Sequence, residues 1–350
     1  MKFEWITDWD TIWSDTFLER WHRWMETSEN VHVFFHPAMV KAWVDTYMPL
    51  RDIRPIFCIA TQGETTLFLP LVLWHKNWKN AFVRSIVPVG YSDFDYHDPI
   101  VTGNKNISWG QFWDEFFKEV EKKWENNFDT IDIDGIRQRS IGTSAHWQEI
   151  EACPYIELSS FSNSDEFLQS LKKNLRQDTK RRVRRMEENS NVQFEVFNPD
   201  DLETALETLP ELLRHHILRW PNAYKAPNFH TNLIKVLLPI GLLHFSRIIL
   251  DSKTISWRIG FIYRDRYYSY MPAFDIEYNQ YSPGKVHLFY CIDDAIKRKI
   301  QVYDQLRGAE LYKNEWTNTV DTVWSYYQTN NNKISKLKTK LNELKNAIKR

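Results

Sequence analysis

The feature that most constrains the fold is an order of secondary-structure patterns that occurs twice along the chain. In residues 1–151, segments with helical spacing of apolar residues precede short strand-like runs, and another helix and strand follow. After the segment PYIEL, residues 154–158, the order of helices, strands, helix and strand begins again. This repetition predicts two related α+β domains divided near Ala152, with mixed, largely antiparallel sheets flanked by helices.

Individual segments supply the repeated order. In the first domain the predicted helices are Trp9–Met25, Pro37–Tyr47 and SWGQFWDEFFKEVEKKW, and the predicted strands are RPIFCIA, TTLFLPLVLW, AFVRSIVP and FDTIDIDGI. In the second domain the predicted helices are SDEFLQSLKKNLRQDTKRRVRRMEE, DLETALETLPELLRHHILRW and the segment from about Gly284 to Lys299. The predicted strands there are VQFEVF, LLHFSRIIL, SWRIGFIYRD, RYYSYMPAFD and QVYDQL. The predicted domains are therefore 1–151 and 152–328.

The segment 333–350 is predicted to form a separate basic helix. Its apolar residues are spaced by three and four, at Ile334, Leu337, Leu341, Leu344 and Ile348, and lysines surround them. Three roles stay open for this seam: packing on the protein's own body, a short coiled-coil contact with another protein, or attachment to a membrane surface.

Composition excludes several classes of protein. The net charge of −1 gives no global attraction to nucleic acid or membrane. Cys58, Cys153 and Cys291 form no CxxC pair, so neither a disulfide framework nor a zinc site is indicated. The start, MKFEWITDWDTIW, lacks the pattern of a signal peptide, and no run of about 18 apolar residues suggests a membrane span. We expect a cytoplasmic protein, with attachment to the inner face of the membrane through the tail as the alternative.

The stretch YNQYSPGKVHLFYCIDDAIKR has the pattern of an anion-binding helix start. Ser282, Pro283, Gly284 and Lys285 open a predicted helix, whose first backbone N–H groups and positive dipole end attract phosphate. The alternative is an ordinary turn that starts a helix.

A second candidate for phosphate binding is the basic helix LKKNLRQDTKRRVRRM, which includes Arg176–Arg185. Its cations are Lys172, Lys173, Arg176, Lys180, Arg181, Arg182, Arg184 and Arg185. They indicate a solvated face, a site for the phosphates of an activated donor, or a site for RNA such as tRNA. The expected buried stripe is Leu168, Leu171, Leu175, Thr179, Val183 and Met186.

Polar and aromatic residues elsewhere are candidates for substrate binding. The loop GYSDFDYHDPI contributes Asp93, Asp95, His97 and Asp98, whose spacing fits no recognised metal motif but suits hydrogen bonds to an amino sugar. His216, Trp220 and Asp275 complete this set. A structural Asx-rich turn for the loop and a helix-capping role for the histidine remain open.

The segment LRGAELYKNEWTN combines Arg307, Gly308, Glu310, Lys313 and Trp316 in a way that fits neither an ordinary loop nor an amphipathic helix. We expect the end of a strand that turns at Gly308. Arg307 stays charged and suits a phosphate or carboxylate.

Together, these motifs resemble a known family. FHPAMVKAW, PLVLW, GYSDFDYHDP, the basic helix, HHILRW, FDIEYNQYSPG and LRGAELYKNEW occur in the order found in the FemAB-like branch of the GNAT superfamily. That branch is related to Fem-type peptidyltransferases and includes acetyltransferase-like proteins associated with cellulose and exopolysaccharide synthesis (the BioF2-like acetyltransferase domain). The resemblance spans roughly residues 30–320.

The resemblance implies two tandem GNAT-like domains, with the acyl-donor site in the second. It places the pyrophosphate of coenzyme A at Ser282–Lys285, with Arg307 as a further donor-binding residue. It implies that Lys313 stabilises negative charge near the transferred carbonyl, and that Glu310 pairs with Lys313 or accepts a proton from the attacking amine.

The expected activity is transfer of an acyl group from acyl-CoA, a co-substrate and not a tightly bound cofactor, to the amine of a sugar or sugar nucleotide in surface-polysaccharide synthesis. Attack in a ternary complex is expected, since no Cys–His or Ser–His–Asp set is evident. Two alternatives remain: an aminoacyl-tRNA-dependent peptidyltransferase acting on a cell-wall precursor, and a non-catalytic scaffold with the same fold.

Overall fold

The computed structural model describes residues 1–75, 83–91, 93–103, 107–142, 147–221, 226–308, 310–317 and 319–347. The helices are α1 Trp9–Ile12, α2 Asp15–Thr27, α3 Pro37–Tyr47, α4 Trp109–Trp124, α5 Ser164–Ser170, α6 Lys173–Asn189, α7 Leu202–Arg219, α8 Phe229–Leu237, α9 Pro283–Lys297, α10 Leu311–Trp316 and α11 Lys333–Ala347. The strands are β1 Lys2–Ile6, β2 Arg54–Pro55, β3 Phe57–Gln62, β4 Thr65–Leu69, β5 Leu71–His75, β6 Arg84–Pro88, β7 Ile100–Thr102, β8 Thr130–Arg137, β9 Trp147–Glu157, β10 Val192–Val196, β11 Leu243–Leu250, β12 Lys253–Tyr263, β13 Arg266–Phe274, β14 Val302–Asp304 and β15 Thr319–Thr329.

The contacts divide the chain into two units. Unit 1 consists of residues 1–151 and 322–350, and unit 2 consists of residues 152–321. The second domain was predicted to extend to residue 328, and 333–350 was predicted as a helix outside both domains, whereas the contacts assign residues 322–328 and the tail helix to unit 1. Residues 348–350 of the tail lie outside the described part of the chain.

Unit 1 contains strands of two sheets. One has the order β1-β3-β4-β7, and the other includes β15, β8, β6, β5 and β2 in that order. The sequence predicts one strand in TTLFLPLVLW, but Pro70 separates β4 from β5, and the two halves join different sheets. Proline has no backbone N–H to donate to a ladder, which explains the break at this position. Of the predicted strand AFVRSIVP, Ala81 and Phe82 lie outside the described residues.

Unit 2 contains one set of strands in the order β10-β11-β12-β13-β14-β9. Strands β10 to β13 pair antiparallel, and β13 pairs with β14 in parallel. Helix α9 connects these two parallel strands and packs on β12 and β13 through Val286, His287, Leu288, Cys291 and Ile292. In unit 1, β6 and β8 are likewise parallel, with α4 between them in sequence. The α+β fold of two tandem GNAT-like domains is therefore confirmed.

Two predicted helices are each broken into two. The segment Trp9–Met25 is divided at Ser14, whose side chain accepts a hydrogen bond from the Phe17 N–H and caps α2. The segment 164–188 is divided at Leu171, which is extended, so that α5 and α6 are separate. Apolar spacing continues across both breaks, because the residues on either side still face one core. Strands β1, β7, β9 and β15 and helices α8 and α10 were not predicted.

The apolar seam of α11 faces away from unit 1. Ile334, Leu337, Leu341 and Leu344 are 69%, 60%, 51% and 53% exposed. The helix is held instead by polar groups: Ser335 Oγ donates to Asp129 Oδ1 at 2.7 Å, and Lys338 Nζ donates to both carboxylate oxygens at 3.2 Å. The seam therefore does not pack on the protein's own body. Ile348 of the predicted seam lies outside the described residues. Among the helices described, none is both long and apolar enough to cross a membrane.

Unit 1 should lose stability in mild acid because it buries two neutral histidines. Burial, together with Arg137, lowers the pKa of His32 to about 3, and burial, together with His22, lowers that of His36 to about 4. Unfolded histidine titrates near 6.5, so this stability is fully present above about pH 6.5 and is lost as the pH falls toward 4. At pH 5 the loss from His36 alone is about 2 kcal/mol.

The measurement is the thermal midpoint between pH 7.5 and 4.5 for the wild type and His36→Asn. Asparagine can keep the acceptor that His36 Nδ1 offers to the Ala38 N–H at 3.2 Å, but it does not titrate. We expect a shallower acid loss in the variant. An identical pH profile would contradict the assignment.

Candidate functional site

The site forms where two parallel strands of unit 2 part. β14 pairs with β13 only through Arg266, Tyr267 and Tyr268, although β13 continues to Phe274. A short 3₁₀ helix, Ile276–Tyr281, then leads to Ser282 and α9. The unpaired end of β13 and the start of α9 therefore lie next to a gap in the sheet.

The start of α9 is arranged differently from that of α4. Ser108 caps α4 by accepting a hydrogen bond from the Gln111 N–H at 3.3 Å. Ser282 has a left-handed backbone, φ 53°, and its side chain makes no cap hydrogen bond within the described structure, while Pro283 occupies the first turn. The Ser282 N–H donates to the Asn279 carbonyl at 2.9 Å and the Lys285 N–H to the Ser282 carbonyl at 3.0 Å. Within the described structure, the Gly284 N–H and the helix dipole therefore remain to favour an anion.

An open pocket lies at this helix start. Its polar lining comes from Arg219, Arg258, Asn279, Ser282, Gly284 and Lys285, and its apolar lining comes from Trp220, Pro272, Phe274, Leu288, Tyr312 and Trp316. Gly284 permits the close approach of α9 to the Phe274 ring, since a Cβ there would lie 3.1 Å from Phe274 Cδ1.

Lys285 forms ion pairs that connect the start of α9 to α6 and α10. Its Nζ lies 3.0 Å from Asp178 Oδ2 on α6 and 3.8 Å from Glu315 Oε2 on α10. Asp178 also pairs with Arg181 and Arg182. Burial acts to raise the pKa of Asp178, but the hydrogen bonds from Lys285 and Arg181 outweigh it and lower the pKa to about 2. The basic helix and the predicted phosphate-binding turn are thus joined through one carboxylate.

The basic helix carries the buried stripe that the sequence predicts. Leu175 and Met186 lie in the core clusters and Thr179 is buried, while most cations lie on the exposed side. Several of them have carboxylate partners: Lys180 with Asp165 at 2.8 Å and Arg184 with Glu188 at 3.5 Å. Exposed pairs of this kind contribute little to stability and leave the cations available to a phosphate.

The segment LRGAELYKNEWTN forms a tight turn and a short helix, with Ala309 and Asn318 outside the described residues. Lys313 Nζ donates to the Arg307 carbonyl at 2.6 Å and lies 3.0 Å from Glu310 Oε2. Gly308 has a φ of 137°, and a Cβ there would lie 2.0 Å from Glu310 Oε2 and 2.5 Å from Lys313 Nζ. Glycine is therefore required for this pair to form. The neighbours Tyr312 and Trp316 line the pocket, whereas Lys313 turns toward Arg307 and Glu310.

Of the other residues expected to bind substrate in unit 2, Trp220 lies in the pocket wall. His216 stacks on it with ring centroids 4.6 Å apart and hydrogen-bonds through Nδ1 to the Pro272 carbonyl at 3.0 Å. Burial lowers the pKa of His216, so the ring is neutral at pH 7. Asp275 accepts a hydrogen bond from the Glu277 N–H and pairs with Lys253 at 3.1 Å, so it caps the 3₁₀ helix.

The polar loop of unit 1 has internal partners. Asp93 Oδ2 accepts hydrogen bonds from Trp43 Nε1 at 3.1 Å and Tyr47 Oη at 2.8 Å. His97 is fully buried and bonds through Nδ1 to the Asp134 carbonyl.

The end of this loop is held by a buried ion pair. Asp98 is fully buried and pairs with Arg137 Nε at 2.6 Å. The backbone carbonyl of Asp95 packs against Gly135. Ser92 lies outside the described residues. These contacts attach the loop to α3 and β8, as a structural Asx-rich turn would.

The most informative pocket residue is one that the sequence did not indicate. Arg258 lies on β12 opposite Pro272 and is only 3% exposed. In the sequence, a single arginine in a strand is expected to face solvent. The structure shows instead that Arg258 is buried and lines the pocket. Tyr312 and Trp316 were also missed as pocket residues, because α10 was not predicted. Among the described residues, no cluster of three or more His, Cys, Asp or Glu side chains is placed to hold a metal ion.

Comparisons with known proteins agree with this architecture. Residues 173–314 match the family described as "Acetyltransferase (GNAT) domain". A comparison with curated proteins found no match.

Solved structures share the fold at low sequence identity. FemX aligns with a TM-score of 0.63 and 11% identity, over 94% of this chain and 98% of that chain. A conserved protein of unknown function from Bacteroides thetaiotaomicron aligns with a TM-score of 0.56 and 11% identity, over 89% and 97% of the two chains. A C-terminal domain (DUF2156) from Agrobacterium fabrum aligns with a TM-score of 0.55 and 10% identity, over 88% and 90%.

The family match covers the strands, the α9 helix start and the α10 turn that together form the pocket. The FemX likeness extends over both units. Residues 173–314 therefore match the GNAT acetyltransferase domain, and the chain as a whole shares its fold with FemX.

Proposed function

We propose that this protein transfers an acyl group from acyl-CoA to a primary amine carried by a sugar or sugar nucleotide, in the synthesis of a surface polysaccharide. The observation that carries the donor assignment is the uncapped start of α9, which lines a pocket at the gap between β13 and β14. Acyl-CoA is a co-substrate in this proposal and no cofactor is bound permanently.

The donor is oriented by the helix start. The pyrophosphate of coenzyme A would lie against the backbone at Ser282–Lys285, where the Gly284 N–H, the helix dipole and the Lys285 ammonium favour negative charge. The Trp220 and Phe274 rings line the same pocket and offer apolar faces to the pantetheine and acyl chain. The Arg307 side chain is proposed to assist at the phosphates.

Lys313 and Glu310 are the proposed catalytic pair. When the amine attacks the thioester carbonyl, the bond to nitrogen forms, the carbonyl oxygen becomes negative, and the thiolate of coenzyme A then leaves. The Lys313 ammonium is buried against Glu310 and the Arg307 carbonyl, next to the pocket-lining Tyr312, and the proposal requires it to turn toward the thioester carbonyl to stabilise that charge. Glu310, 37% exposed at its side chain and paired with Lys313, accepts the proton that the amine releases.

The acceptor is proposed to lie beside His216 and Trp220. An aromatic face beside neutral imidazole suits a sugar ring and its hydroxyls. The internal partners of Asp93, Asp95, His97 and Asp98 favour a structural role for that loop, so we place the acceptor in unit 2.

The direct test is release of free thiol from acyl-CoA in the presence of a panel of amino sugars and their nucleotide derivatives. We expect turnover with at least one amino sugar and none with its N-acetylated or deaminated form. Absence of turnover with every acceptor would contradict the proposal.

A second donor class is supported by the basic helix and by the FemX-like fold. In this alternative the donor is aminoacyl-tRNA, gripped along Arg176–Arg185, and the acceptor is a cell-wall precursor. It requires tRNA binding that weakens steeply with salt and is lost when Arg181 and Arg185 are changed to glutamate. Absence of tRNA binding at low salt would eliminate it, and a protein that neither turns over a donor nor binds one would be a scaffold.

A further inference from the structure

Arg258 is a buried cation that the transfer reaction described above leaves unused. Its side chain is 3% exposed, and Nη1 donates to Ser269 Oγ at 2.7 Å. Nε has no hydrogen-bond partner. No carboxylate in the described part of the chain pairs with it; the groups around it are hydroxyls and a thiol, from Ser269, Tyr303 and Cys291.

The charge of Arg258 persists in spite of burial. Burial acts to lower the pKa of this guanidinium, but Tyr303 and Cys291 outweigh it, and the net shift is upward. A buried charge without a counter-ion destabilises a fold by several kcal/mol. Because the buried Arg258 lines a pocket, we infer that a negatively charged group of a ligand is its counter-ion.

Burial and charge partners distinguish Arg258 from the start of α9, although both line the pocket. Ser282 and Lys285 are partly exposed at the helix start, whereas Arg258 lies on β12 opposite Pro272 and is 3% exposed. Lys285 already lies near the carboxylates of Asp178 and Glu315, whereas Arg258 has no carboxylate in the described structure. The planar guanidinium fork matches a carboxylate.

We propose that the pocket recognises a substrate carboxylate through Arg258. This inference rests on the proposed function for the identity of the donor, but not for the binding itself. The carboxylate is carried either by the transferred acyl group, as in a dicarboxylic acyl chain, or by the amine acceptor. In both cases Arg258 and the Ser269 hydroxyl form the specificity-determining end of the site.

Calorimetric binding with matched ligands tests the proposal and separates the two sources. In the donor arm, succinyl-CoA is compared with butyryl-CoA, which has the same chain length without the charge. In the acceptor arm, β-alanine is compared with β-alaninamide. We expect the carboxylate ligand of one arm to bind at least ~10-fold more tightly to the wild type, and Arg258→Met to abolish that preference.

Two further variants keep the test decisive. Arg258→Lys keeps the charge without the fork and should retain part of the preference, while Ser269→Ala removes the hydroxyl that orients the guanidinium. Because the unpaired cation is destabilising, Arg258→Met should melt no lower than the wild type; a merely structural arginine would lower the midpoint. Equal binding of charged and neutral ligands in both arms would overturn the proposal. Failure of every CoA ester to bind while a carboxylated acceptor binds through Arg258 would instead reject only the CoA donor.

The outward seam of α11 supports a second, independent inference. The helix is fixed to unit 1 by its polar side, through Ser335 and Lys338 on Asp129, and this fixes Ile334, Leu337, Leu341 and Leu344 toward solvent. Exposed lysines, Lys333, Lys336 and Lys340, flank the seam. Among residues 333–344, Glu343 is the one acidic residue.

We propose that α11 docks the protein on an anionic lipid surface. The apolar side chains can insert among the acyl chains of such a bilayer. The flanking lysines are attracted to its anionic headgroups, and each lysine near the surface contributes about 1 kcal/mol. Two copies of this helix paired along the seam would bring their flanking lysines together, and like charges repel. The seam therefore fits an anionic membrane surface better than a second copy of the helix.

Vesicle flotation of the full chain tests this inference. We expect binding to phosphatidylcholine vesicles that contain about a third phosphatidylglycerol, little binding to phosphatidylcholine alone, and weakening with salt. Leu337→Glu with Leu341→Glu should abolish binding without lowering the thermal midpoint, since both side chains are exposed. Leu311→Glu, at an exposed leucine of unit 2 (84% exposed), is the matched control. Absence of flotation, or a dimer in light scattering that the paired leucine variant dissociates, would overturn the proposal.

Discussion

Replacing Arg137 by methionine should destabilise unit 1 by about 3–5 kcal/mol, the cost of leaving a buried charge without its partner. Asp98 Oδ2 accepts from Arg137 Nε at 2.6 Å, and Asp98 Oδ1 accepts from the Arg137 backbone N–H at 3.0 Å. Burial acts to raise the pKa of Asp98, and Arg137 outweighs it, so the carboxyl is ionised in the wild type. Without the guanidinium, burial should drive this carboxyl toward its neutral form.

Chemical denaturation measures the effect. Arg23→Met, at an exposed arginine of α2, is the matched control and should change the unfolding free energy by less than ~0.5 kcal/mol. Combining Arg137→Met with Asp98→Asn should recover part of the loss, because the second change removes the uncompensated charge. If Arg137→Met is as stable as the Arg23 variant, the polar loop is not held by this pair, and a substrate-binding role for its carboxylates regains support.

Replacing Lys313 by methionine should lower kcat about 10²- to 10³-fold, equivalent to ~2.7–4 kcal/mol of transition-state stabilisation. The affinity for the donor should change little, since the ammonium acts on charge that develops only during attack. Some stability will also be lost, roughly 1–3 kcal/mol, because Glu310 and the Arg307 carbonyl lose their partner. Activity is therefore measured well below the melting transition of the variant.

Two comparisons separate catalysis from support of the turn. Glu310→Gln removes the proposed base but can keep a hydrogen bond to Lys313, so it should lower kcat and steepen its dependence on pH. Lys297→Met, at an exposed lysine near the end of α9, should leave kcat unchanged. A normal kcat in Lys313→Met, together with a lower melting midpoint, would show that Lys313 only braces the Gly308 turn.

Much of the fold is predictable because local signals agree with the tertiary environment. Pro37 at the first turn of α3, Ser108 before α4 and the alternating strands β11 to β13 all appear where the patterns indicate. The breaks at Ser14 and Leu171 were missed, because apolar periodicity reports which face is buried and not whether the helix is continuous. Pro70 was read as part of a strand, although it separates strands of two sheets.

The sequence predicted residues of the candidate site only where a residue type determines the local backbone conformation. The SPG turn predicts a helix start, and the structure places Ser282, Gly284 and Lys285 at a pocket. Arg258 carries no such signal, because its importance comes from burial without a counter-ion, which depends on the neighbouring strand and helix. The acidic loop illustrates the converse: its side chains suit a ligand in composition, but the fold provides Trp43, Tyr47 and Arg137 as partners.

The central claim is that the start of α9 holds the acyl donor, and calorimetric binding of coenzyme A tests it most directly. In Gly284→Leu, the new Cβ would lie 3.1 Å from Phe274 Cδ1 and the rest of the side chain would fill the pocket, without requiring a left-handed backbone. Lys297→Met, remote from the helix start, serves as the control. The account predicts saturable binding of coenzyme A to the wild type and to the control, and at least ~10-fold weaker binding to Gly284→Leu. Absence of binding to the wild type, or undiminished binding to Gly284→Leu, would contradict it.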